Sequence, residues 1–118
     1  MRITSILIIV FGLLGFLTSC AQLNPHPMDM SQAIQKATTH SDHEALAKHY
    51  EDAAREMQSK VQEHKKMLEQ YESNTSHYGK RALDLQSHCR YLINTYEQAV
   101  KANMDMANSH RAMAAEIK

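Results

Sequence analysis

Residues 41–72, SDHEALAKHYEDAAREMQSKVQEHKKMLEQYE, contain neither proline nor glycine and carry a pattern that repeats every seven residues. His43, Tyr50, Met57, His64 and Tyr71 form one column, with Leu46, Ala53 and Met67 on one side of it and Ala47, Ala54, Val61 and Leu68 on the other. A period of seven is two turns of a helix wound slightly against a partner helix. Residues 80–117 supply the partner. There Ala82, Cys89, Tyr96, Asn103, His110 and Ile117 form the matching column, flanked by Leu85, Leu92, Ala99, Met106 and Met113 and by Ile93, Val100, Ala107 and Ala114. Alanine in the flanks lets two backbones approach closely. The pattern therefore predicts an all-α fold, a long antiparallel helical hairpin with coiled-coil packing.

Local signals place the ends of the elements. Ser41 and Glu44 have capping-box spacing, which starts a helix at about 42 and runs it to about 72. Ser73-Asn74-Thr75-Ser76-His77-Tyr78-Gly79 supplies turn residues, and the second long helix spans about 80–117. At 1.5 Å per residue the two are roughly 48 Å and 57 Å long. A short helix at about 30–37 with Asp29 as its cap precedes them, and Thr38-Thr39-His40-Ser41 separates it from the first long helix. Glu51/Arg55 and Glu56/Lys60 have the i, i+4 spacing of local ion pairs. Residues 29–118 thus form one helical-hairpin domain.

Upstream, Met1-Arg2 is a short positive segment, and Ile6 to Leu17 is apolar apart from Gly12 and Gly15. The run is too short to span a membrane comfortably and has the layout of a signal peptide. Leu17-Thr18-Ser19-Cys20 closes it and resembles the lipobox of bacterial lipoprotein precursors. That resemblance implies a signal peptide over residues 1–19, a diacylglycerol-bearing Cys20 and a membrane anchor. Ala21 after the cysteine implies sorting to the outer membrane, facing the periplasm. Residues 20–28 hold both prolines and read as a tether. Ser87-His88-Cys89-Arg90 and His110-Arg111-Ala112-Met113-Ala114, together with Asp42-His43-Glu44-Ala45-Leu46-Ala47, resemble helical-hairpin proteins of proteobacterial cell envelopes. This implies the same fold and placement, with no activity attached.

Without residues 1–19 the chain keeps twelve basic and thirteen acidic residues, a net charge of −1. That balance offers no electrostatic footprint for nucleic acid. Both phenylalanines leave with the leader and tryptophan is absent, so the core is thin and built from Ala, Leu, Met, Val and Ile. Small domains bury a low fraction of their surface, which points to self-association, as a homodimer forming a four-helix bundle. Once Cys20 is lipidated, Cys89 is a lone thiol. Neither a nucleophile elbow nor a phosphate-cradling glycine loop is present, and no enzymatic activity is expected.

With the turn centred near residue 76 or 77, His43 meets His110, Tyr50 meets Asn103, Met57 meets Tyr96, His64 meets Cys89 and Tyr71 meets Ala82. Polar groups therefore recur along the face that should be driest. Such residues fix register in coiled coils by hydrogen bonding across the seam, and this is the first expectation. The alternative is transition-metal binding, with copper or zinc as the cofactor. One site would comprise His64, Cys89 and His88; a second would join His43 to His110, with Met106 and Met113 one helical turn either side. Imidazole suits zinc, copper and nickel, and thioether or thiolate donors favour Cu(I).

Overall fold

The computed structural model describes residues 28–118. The leader, Cys20 and all of the tether except Met28 lie outside the described residues. Helix α1 spans Met30–Lys36, α2 His40–Ser73, α3 Thr75–Tyr78 and α4 Ala82–Glu116, with a 3₁₀ turn at Gly79–Arg81 between α3 and α4. No strand occurs among the described residues. α2 and α4 lie antiparallel over nearly their full lengths, so the chain is the expected hairpin.

Each boundary has a local cause. The Asp29 side chain accepts from the Gln32 amide at 3.2 Å and caps α1. The capping box that starts α2 sits two residues earlier than Ser41–Glu44. Thr39 Oγ1 accepts from the Asp42 amide at 3.1 Å, and Asp42 Oδ2 accepts from the Thr39 amide at 2.9 Å and the Thr38 amide at 3.1 Å. Hydrogen bonding to the Thr39 hydroxyl first, and then to the Thr38 and Thr39 amides, holds the Asp42 carboxyl below its ordinary pKa. Aspartate at the third helical position closes the box over a shorter reach than Glu44, and the Thr38 amide gives it a second donor. The break is accordingly confined to residues 37–39.

The turn is more ordered than its composition suggests. Residues 75–78 form one helical turn, and Asn74 caps α2 by donating both its backbone and side-chain N–H to the Gln70 carbonyl, each at 3.0 Å. Gly79, at φ +57°, then reverses the chain in a region that side-chain-bearing residues rarely adopt. Because of this turn, α4 begins at Ala82 rather than at residue 80; it ends at Glu116, one residue short of the expected 117.

The fully buried residues are Leu46, Ala47, Ala54 and Val61 on α2 and Ala82, Gln86, Cys89, Ala107, His110 and Ala114 on α4. Two columns per helix, not one, line the seam. A heptad presents positions alternately three and four residues apart to the partner, and the small members of each column approach it most closely. Ala47, Ala54 and Val61 are therefore sealed, while Tyr50, Met57, His64 and Tyr71 are only half-buried. Leu46 is covered from outside the hairpin: α1 packs over the start of α2, where Met28, Ala33, Lys36, Asp42, Ala45 and Leu46 line a shallow cavity.

The two edges of the seam differ. Glu51 pairs with Arg111, Lys65 with Glu97 at 2.9 Å and Glu72 with Arg90 at 2.6 Å. All three bridges cross from α2 to α4 on one edge, with residues seven or fourteen apart along each helix. Glu51 thus bonds across the hairpin rather than to Arg55, which instead meets Asp52 at 2.8 Å, and Lys60 pairs with Glu63 at 3.0 Å rather than with Glu56. The opposite edge carries Leu46, Ala53 and Met67 on α2 and Leu85, Leu92, Ala99, Met106 and Met113 on α4. Lys60 is the one charge in those two columns.

Candidate functional site

The polar residues of the seam separate into three places. Near the turn, Gln86 is buried, its Nε2 donating to the Tyr71 carbonyl at 3.1 Å while its Oε1 accepts from Arg90 at 3.5 Å. Gln86 lies seven residues before Ile93, in a column otherwise read as apolar, and the sequence reading passed it over. Its amide ties α4 to the end of α2 and leaves neither polar atom stranded.

Midway along, His64 stacks on Tyr96 with ring centroids 5.7 Å apart. Its Nδ1 is buried without a hydrogen-bond partner, a situation that costs about 1–3 kcal/mol. Cys89 is sealed at 1% exposure, and burial raises its thiol pKa, keeping it protonated. His88 is exposed, so it leaves α4 in a different direction from Cys89 and does not converge with it. The expected trio of His64, Cys89 and His88 is corrected on this point. Adjacent helical residues are about 100° apart, and only one of the two can enter the seam.

At the open end of the hairpin, the expected His43–His110 pairing is present. The two Nδ1 atoms lie 3.1 Å apart, and the rings are stacked with centroids at 5.4 Å and planes 25° apart. Tyr50 lies against His110 with centroids at 5.7 Å and planes within 9°. One imidazole of α4 therefore packs between two aromatic side chains of consecutive α2 heptads, as a knob enters a hole. Tyr50 meets His110 and not Asn103, whose Nδ2 donates to the Ala99 carbonyl of its own helix at 2.8 Å. His110 is 7% exposed, and its pKa is lowered, first by burial and then by the neighbouring His43. It is accordingly biased toward the neutral imidazole.

On either side of this pair lie the two different edges. The Glu51–Arg111 bridge closes one. Met106 and Met113, 42% and 46% exposed and one turn before and after His110, stand on the other. Among the described residues no group of three or more His, Cys, Asp or Glu side chains gathers at a single point. Nor is any described helix long and apolar enough to cross a membrane.

Fold and seam define a two-helix hairpin with a histidine pair at its open end. Compared with known proteins, the chain matches no family model, no curated sequence and no solved structure.

Proposed function

We propose that this chain is a lipid-anchored protein of the bacterial cell envelope that works as a structural or interaction module, docking through its apolar edge onto a second copy of itself. The observation that carries the docking is the asymmetry of the hairpin. Three ion pairs bridge one edge, whereas Leu85, Leu92, Ala99, Met106 and Met113 line the other with no charge among them.

A second copy suits that edge better than a charged partner. The edge is continuous with the seam, so another hairpin with the same seven-residue spacing extends the packing into a four-helix bundle. The net charge of −1 outside the leader leaves little repulsion between copies. Anchoring rests on the lipobox-like Leu17-Thr18-Ser19-Cys20 and on the tether that follows it. Ala21 after that cysteine supports a position at the periplasmic face of the outer membrane.

Two measurements test these parts separately. Intact-mass analysis of the membrane fraction is expected to find an acylated N-terminal Cys20, and Cys20→Ser to move the protein out of that fraction. An unmodified, unprocessed chain overturns the anchor. Sedimentation equilibrium at micromolar concentration is expected to give twice the chain mass after correction for detergent, and a strict monomer overturns the docking.

A further inference from the structure

We propose that His43 and His110 hold a soft transition-metal cation, Cu(I), between their Nδ1 atoms at the open end of the hairpin, with the Met113 and Met106 thioethers as the additional donors. The histidine pair is formed by the hairpin alone and needs neither the anchor nor the dimer, whereas Met106 and Met113 lie on the edge proposed above to dock.

Geometry carries the inference. Two imidazole nitrogens, each about 2.0–2.1 Å from one metal ion and 3.1 Å from one another, subtend about 100° at it, close to the angle of a four-coordinate site. The two residues are 67 positions apart in sequence, and the hairpin register alone brings these atoms together. As a hydrogen bond, the same approach requires one Nδ1–H to donate to the other ring's lone pair. Ligation by both rings requires the donor ring to carry its proton on Nε2 instead; each neutral imidazole then has an Nδ1 lone pair facing the gap, and a tilt of the rings turns both toward an ion beside the line between the nitrogens. Tyr50 stacked on His110 holds that ring in place.

The donor set selects the ion. Among the described residues no carboxylate or thiolate joins the two imidazoles into a group of three, which leaves a hard cation without its preferred oxygens. Two thioethers, Met106 at i−4 and Met113 at i+3, flank His110 on its own helix, on the edge opposite the ion pairs. Thioethers with imidazoles favour Cu(I) over zinc. In the single chain, solvent exposure of Met106 and Met113 provides an entry path, which a docked second copy would cover, so the ion loads before docking.

The test is titration of the full chain, purified in detergent, with Cu(I) kept reduced by ascorbate and competed against bicinchoninate. One Cu(I) per chain is expected, with affinity falling at least about 100-fold in His43→Ala and His110→Ala. Circular dichroism reports whether each variant folds. His43 is only half-buried, so its variant decides the matter should His110→Ala lose its helix. Cys89→Ser keeps the binding. Met106→Leu/Met113→Leu weakens Cu(I) about tenfold while leaving Zn(II) unchanged. No Cu(I) uptake by the folded protein overturns the site, as does uptake that survives His43→Ala and vanishes in Cys89→Ser. Unchanged Cu(I) affinity in the double methionine variant overturns the thioether donors.

Discussion

The hairpin closes its two edges by different means. On one, Glu51–Arg111, Lys65–Glu97 and Glu72–Arg90 reach across at the surface. On the other, leucine, alanine and methionine lie side by side and only Leu46 is fully covered, by α1. Solvated ion pairs gain little because water already solvates their members, while apolar surface left in water forgoes about 25 cal/mol for every Å² not buried. The ionic edge is therefore stable in water as it stands, whereas covering the apolar edge would gain free energy.

Substitutions should expose this difference, the strongest first. Leu85→Glu/Leu92→Glu places charge on the apolar edge, and the mass by sedimentation is expected to fall from dimer to monomer with helicity retained. An unchanged dimer would put the docking face elsewhere. Leu46→Ala removes the one sealed side chain of that edge and is expected to cost about 2–3 kcal/mol in chemical denaturation, the low end of such truncations because α1 can settle into the space. Ile34→Ala, on the exposed side of α1, serves as its near-neutral control.

Arg111→Ala, by contrast, is expected to shift the melting temperature only slightly, and molar salt to erase even that shift. A large, salt-insensitive loss would mean that the two edges are not different in kind. The smallest effect is a pH dependence. Glu51 is held below its ordinary value of 4.5, chiefly by the Arg111 hydrogen bond. Its contribution is thus fully present above pH 4.5 and fades as pH falls through the lowered value. The stability gap between the native chain and Glu51→Gln should close over that acid range and stay constant between pH 6 and 8. A gap that widens on acidification would contradict the pairing.

The sequence made the hairpin legible because ninety residues with a single glycine and no proline after Pro27 leave few alternatives to helix, and the seven-residue repeat orients both helices toward each other. It also placed His43 opposite His110, since that pairing follows from the position of the turn. Finer features escaped for identifiable reasons. Glu51 has a plausible partner at Arg55, and nothing local reveals that Arg111 comes closer. Thr39–Asp42 and Ser41–Glu44 offer competing caps, and the choice depends on the Thr38 amide. Gln86 reads as a solvated residue until its column is aligned with Ile93 and Ala107. His88 and Cys89 look like one potential site in sequence, but a helix sends neighbours in different directions.

The up-and-down path has a mechanical corollary. The turn at residues 74–81 stands roughly 50 Å along the helix axes from Thr39 and Glu116, whereas His110 is only about 9 Å from the end of α4. Were the chain attached upstream of Met28, the histidine pair would lie nearer the pivot than the turn does. Tyr78 and Gly79 are carried at the far tip of a lever. A small angular sway at the base displaces that tip through several ångströms while scarcely moving the imidazoles, so one rigid hairpin offers a steady station near its foot and a sweeping one at its head.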